Sequence, residues 1–182
     1  SSAASDVYKR QIYAYGMELL ISDVLNTIIV LLIALFSHTL PAVVVFIAVF
    51  MGLRQFVGGF HANSHLSCMF TLVMVMMVFS YGICNVSGHI TPIFSISFIM
   101  IALPIILCIA PVPHPNKPMS EEKSVKLRKR SCILAVTLSV VTIALLVFQY
   151  QKLSLYVSSG MLLSAIMALL GHFLNRGDNS KR

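Results

Sequence analysis

Between Arg54 and Cys68 the chain places Arg54, Gln55, Gly58, Gly59, His61, His65 and Cys68 within one short polar stretch. A cysteine near a histidine is the pair that nucleophilic acyl transfer needs. A thiol among apolar groups resists ionising, and a neighbouring imidazole corrects this by forming a thiolate–imidazolium pair. The same histidine can later protonate a departing amine. His61 and Cys68 are seven residues apart, about 10.5 Å of rise on an ideal helix. That spacing puts them on one face but beyond hydrogen-bond reach, so a working pair requires the chain between them to bend. Gly58, Gly59, Asn63 and Ser64 are residue types that break a helix readily. His65 is a rival base, because three residues before Cys68 it adjoins the thiol on a continuous helix. Residue chemistry alone leaves His61 and His65 open. The oxyanion of acyl transfer needs donors, and Arg54, Gln55 and the backbone amides near Gly58 and Gly59 are the candidates.

Two other readings compete. His61, His65 and Cys68 follow an i, i+4, i+7 pattern that can set three metal ligands on one helical face. No carboxylate lies nearby to serve as a fourth ligand or a general base. The blander alternative is a polar hairpin at a membrane interface with ordinary histidines. His38, His89 and His172 lie at turns or segment ends and read as interfacial. His114, in a proline-rich loop, is a weaker functional candidate. Cys84, Cys108 and Cys132 sit in or beside apolar runs and read as small membrane-core residues, with no disulfide framework indicated. There is no glycine-rich phosphate loop, serine elbow or pair of phosphotransferase aspartates.

The elements that position this stretch are hydrophobic. Of 182 residues, 58% are hydrophobic and 10% charged, where a soluble domain carries about 25% charged residues. The class expected is an all-α polytopic membrane bundle. The apolar segments are Gly16–Ser37, Leu40–Leu53, Met69–Val86, Ile93–Ala110, Cys132–Phe148 and Leu153–Leu174. Leu40–Leu53 is short for a span of about 20 residues. It either re-enters, or crosses with its helix continuing through Arg54 and Gln55. Pro104 is expected to kink the fourth segment. Asp23 should face the bundle interior, whereas Glu18 lies near the interface. Ser120, Glu121 and Glu122 read as the start of an amphipathic helix. Ser1–Gln11 is polar, unlike the first apolar segment, and reads as a non-native leader ahead of a single domain over 12–182. The net charge of +7 does not point to nucleic acid, because no basic face is interleaved with stacking aromatics. The basic residues fall in the gaps and act as topology signals. They place Arg54, Lys117–Arg130 and both termini on the cytoplasmic side, against Lys152 alone outside. The polar stretch then shares a face with the basic loop.

Arg54-Gln55-x-x-Gly58-Gly59-Phe60-His61-Ala62 followed by Cys68 resembles the accessory gene regulator protein B (AgrB) family, bacterial membrane endopeptidases that process quorum-sensing propeptides. Asn116-Lys117-Pro118, the basic segment after it and the six-segment hydropathy are similar too, over nearly the whole chain from about Tyr15. The resemblance implies that Cys68 is the nucleophile and His61 its partner. It further implies that Arg54, Gly59 and Lys117 contribute to processing or site integrity. Its substrate would be an AgrD-like propeptide on the inner leaflet of the bacterial cytoplasmic membrane. The peptide would be cleaved near its C-terminal part and cyclised to a thiolactone or lactone. Neither a metal nor an organic cofactor is required, membrane lipids are partners, and a homodimer is compatible. The region ahead of the motif is shorter than usual in the family. The alternative function is a non-enzymatic membrane peptide exporter or peptide-binding partner, which has no need of Cys68.

Overall fold

The computed structural model describes residues 17, 21, 24, 25, 28–57, 71, 73–112 and 121–179, with 121, 123 and 174–179 as backbone alone. Among them the chain forms six helices and no β-sheet. These are α1 (28–36), α2 (Leu40–Val57), α3 (Val73–Asn85), α4 (Thr91–Ile109), α5 (Glu121–Val147) and α6 (Gln151–Asn179). In α2, α4, α5 and α6 there are four stretches long and apolar enough to cross a membrane. Asp23, Glu18 and Ser1–Gln11 lie outside the described residues.

α6 is the central helix. Just over half of its apolar span, 56%, is buried, against 22–33% in the other three long helices. Its sequence explains this, because Ser154, Ser158, Ser159, Gly160, Ser164, Ala165 and Ala168 are small and buried. Small residues let helix backbones approach closely where no hydrophobic effect drives association. Gly160 packs under Phe46 and Val49 of α2. One turn on, Ser164 donates to the Phe50 carbonyl at 3.4 Å. Successive turns of α6 thus meet successive turns of α2, and the two run parallel. Ser95 of α4 and Ser154 of α6 share a buried hydrogen bond of 3.1 Å. Further along both helices, Ile106 shares a core cluster with Met161 and Ala165, so α4 is parallel to α6 as well.

The connections at one end are tight. After α1, His38 takes φ 55°, and after α5, Gln149 takes φ 65°. Both turns show the same two bonds. Thr39 N donates to the Ala34 carbonyl and His38 N to that of Leu35; Tyr150 N donates to Leu145 and Gln149 N to Leu146. This is the Schellman pattern, which satisfies the last carbonyls of a helix through a left-handed residue. The third connection at this end is the turn before Pro92, where Thr91 Oγ1 donates to the Ser87 carbonyl.

α3 is regular only at its start and becomes a π-turn over Val78–Gly82 and a 3-10 turn over Ile83–Asn85. Asn85 Nδ2 donates to the Tyr81 carbonyl at 2.9 Å and to that of Ser80 at 3.4 Å, occupying acceptors that the irregular ladder frees. Buried Ser80 joins a chain of hydroxyls: its Oγ lies 3.2 Å from Thr39 Oγ1, which lies 2.9 Å from Ser37 Oγ, and Ser37 Oγ donates to the Ile33 carbonyl. Phe79 stacks on Phe46 at 4.2 Å and meets Tyr156 edge-on at 5.9 Å. α4 is continuous across Pro104.

Candidate functional site

α2 delivers the first residues of the polar stretch. Its helix does not stop at Leu53 but runs to Val57, because Leu53 and Val57, one turn apart, are both fully buried in the core. Arg54 and Gln55 are therefore helical. The Arg54 guanidinium lies 5.5 Å from the Phe50 ring centre, one turn back, which gives a cation–π contact. It is half-buried in the last turn of α2, where a cation also favours the helix dipole. Gln55 is exposed, since its position is turned away from the Leu53–Val57 stripe.

Beyond α2 the decisive contact is a backbone clasp. Val112 N donates to the Val57 carbonyl at 2.9 Å. Val57 is the last helical residue before residue 58, and Val112 the last described before 113–120. The clasp is dry, with Val57, Ala110 and Val112 all buried in one cluster with Ile106, Ala135 and Ala168. The ends of α2 and α4 thus meet at one end of the bundle, beside the first apolar turns of α5 and the second half of α6. The stretch from residue 58 and the connection from residue 113 leave from two hydrogen-bonded neighbours. This juxtaposition has no signal in the sequence, because both partners are ordinary valines acting through their backbones.

Gly58, Gly59, His61, the rival base His65, Cys68 and Lys117 lie outside the described residues, as does His114. The structure brings together the segments that lead to them, not the groups themselves. Of the remaining histidines, His38 and His89 occupy exposed turns and His172 is half-buried near the end of α6. Cys84 and Cys132 are half-buried and Cys108 is exposed on α4, all three as free thiols. Among the described residues no three His, Cys, Asp or Glu side chains gather as metal ligands. The candidate trio His61, His65 and Cys68 is not among them.

Comparison with known proteins gives one family. Residues 2–168 match the family model of Accessory gene regulator B. The chain is 26% identical over 125 residues to a protein of Clostridium beijerinckii named "Putative AgrB-like protein", covering 67% of this chain and 59% of that protein. It is 25% identical over 171 residues to a protein of the same name from Clostridium perfringens (strain SM101 / Type A), covering 90% of this chain and 79% of that one. No solved structure matches the chain.

Proposed function

The chain belongs to the accessory gene regulator B family, and from that premise we propose that it is a membrane cysteine endopeptidase that matures an AgrD-like quorum-sensing propeptide. The observation that supports this most is the reach of the family match, whose span of residues 2–168 takes in the stretch from Arg54 to Cys68 and Lys117. The clasp between Val57 and Val112 adds a physical reason for the arrangement, since it holds the two segments entering the site at the same end of the bundle.

In this reading the Cys68 sulfur attacks a carbonyl carbon near the C-terminal part of the propeptide while His61 accepts the thiol proton. The tetrahedral intermediate collapses, the carbon–nitrogen bond breaks, and His61 returns the proton to the departing amine. An acyl-thioester remains on Cys68. A side-chain nucleophile of the propeptide then attacks that carbonyl, releases Cys68 and closes a thiolactone or lactone ring. Donors near Gly58 and Gly59, with Arg54 and Gln55, support the oxyanion, and apolar surroundings keep water from the thioester. Lys117, in the sequence between α4 and α5, is the candidate for contact with the substrate. Six segments cross the bilayer, both termini are cytoplasmic, and the site opens to the cytoplasm.

The test is propeptide cleavage in cells co-expressing a cognate propeptide, at matched membrane levels of enzyme. Cys68→Ala, Cys68→Ser and His61→Ala should each lower the cleavage rate at least about a thousandfold, and His65→Ala much less. Alkylating agents should stop the wild type while chelators should not. Cleavage by Cys68→Ala would remove the thiol mechanism and return the metal and non-enzymatic readings.

A further inference from the structure

The basic residues at the head of α5 are not one cluster. α5 is a single helix from Glu121 to Val147, so every residue in it has a face fixed by helical geometry. One stripe, at three- and four-residue steps, holds Ser131, Ala135, Ser139 and Thr142, all buried. The opposite stripe holds Ile133, Val136, Val140, Ile143 and Val147, all exposed. Continued toward the start of the helix, the exposed stripe becomes Arg130, Lys129 and Lys126, all exposed. Arg128 is exposed as well, but it differs from them in register, three residues before Ser131 and so in line with the buried stripe. The sequence reads these cations together as a topology signal; the helix sorts them by face.

We propose that Lys126, Lys129 and Arg130 form a binding surface for the headgroups of anionic phospholipids. The proposal rests on the reading of the chain as a membrane protein. Two observations carry it. First, the three cations continue the same stripe as the exposed apolar side chains, and in a bilayer that stripe faces lipid. Second, the depth agrees. Along the axis Arg130 lies about 25 Å and Lys126 about 31 Å from Val147 at 1.5 Å per residue, and the hydrocarbon layer is about 30 Å thick. With Val147 at the far boundary, the cations reach the near boundary where lipid phosphates lie. Long basic side chains place their stems along apolar surface and their charges in the headgroup layer. Glu122 falls on the same stripe one turn further out, and its Oε1 lies 2.6 Å from Lys126 Nζ. It offsets part of that lysine's charge and leaves Lys129 and Arg130 as the stronger contacts. The surface would fix the depth of α5 and, through the core cluster that Ala135 shares with Val57 and Val112, the depth at which the clasp is held.

The test uses the full-length protein in phosphatidylcholine vesicles, comparing motional restriction of spin-labelled phosphatidylglycerol with that of spin-labelled phosphatidylcholine. The wild type should prefer the anionic lipid, and the preference should fall as salt rises. Each charge removed from the stripe is expected to weaken association about fivefold at low salt, so K126Q/K129Q/R130Q should lose nearly all preference. R128Q should keep it, E122Q should strengthen it, and the charge-conserving K126R/K129R/R130K should match wild type. Equal loss per charge in R128Q would overturn the assignment to this face, as would a wild type without preference. Incorporation without selectivity removes this proposal alone, whereas failure to enter vesicles removes the membrane reading with it.

Discussion

At Gly160 a single hydrogen decides how close two helices come. A Cβ there would stand 3.0 Å from the Phe46 carbonyl oxygen and 3.1 Å from Cβ and Cγ1 of Val49. A backbone oxygen cannot swing aside, so α2 would have to move. Gly160→Ala is expected to cost about 1–3 kcal/mol through overpacking, read as a lower midpoint of thermal unfolding in mild detergent. Gly52 is the control within α2, because nothing lies within 4 Å of its missing Cβ. Gly52→Ala should be neutral or raise stability by up to about 1 kcal/mol, the difference in helix propensity. The same substitution thus has opposite signs at two glycines. Since α2 also holds Arg54 and leads into Gly58, Gly160→Ala should slow propeptide cleavage while Gly52→Ala should not. Equal effects of the two would sink this account of the α2–α6 contact.

Hydropathy finds the elements but not their ends. The six apolar segments correspond to the six described helices, and the turns at His38 and Gln149 fall in the gaps between segments, after Ser37 and after Phe148. The start of α5 is displaced, from Cys132 to Glu121. Lys, Arg and Glu are good helix formers, so the helix continues through residues that hydropathy scores as a break, in keeping with the start signal at Ser120, Glu121 and Glu122. α2 outlasts Leu53 for another reason, the burial of Val57. The π-turn of α3 has no counterpart in the sequence, because it depends on Asn85 and on a hydroxyl chain reaching from α1. The left-handed residues at the two Schellman turns are equally illegible, since His38 and Gln149 occupy positions that glycine usually takes. A Cβ in that conformation costs about 1–2 kcal/mol, partly offset by the backbone entropy that glycine loses on folding. His38→Gly and Gln149→Gly should each therefore stabilise the fold by roughly 0.5–1 kcal/mol. Thermal unfolding of the two variants checks this, and a lowered midpoint in either would show that the imidazole or amide makes a contact worth more than the strain.

On the scale of the whole molecule, the bundle has two unlike ends, and the sequence already divides them by charge. One end gathers the turns at His38, His89 and Gln149, with Lys152 beside the last. The other gathers the Val57–Val112 clasp, Arg54, and the head of α5 with Lys126, Arg128, Lys129 and Arg130. What the sequence states about the site is residue type: Cys68 with either His61 or His65 can be picked out as a candidate thiol–imidazole pair, and it is the family resemblance that favours His61. What it cannot state is that two valines, far apart in the chain, tie the approaches to that pair together. The charge asymmetry also predicts an orientation, because lysines and arginines in short connections stay on the cytoplasmic side. In a protein with Cys68, Cys84, Cys108 and Cys132 replaced by alanine, cysteines introduced singly at His38, His89 and Tyr150 should react with a membrane-impermeant maleimide on intact cells. Cysteines at Val125 and Lys129 should react only after the membrane is opened. Adding lysines to the turn at His89 should weaken this bias. Labelling of Val125→Cys from outside would reverse the assigned orientation, and with it the access of a cytosolic propeptide to Cys68. Labelling of both sets in intact cells would point to a mixed population, in which the single lysine at 152 is enough to compete with the basic head of α5.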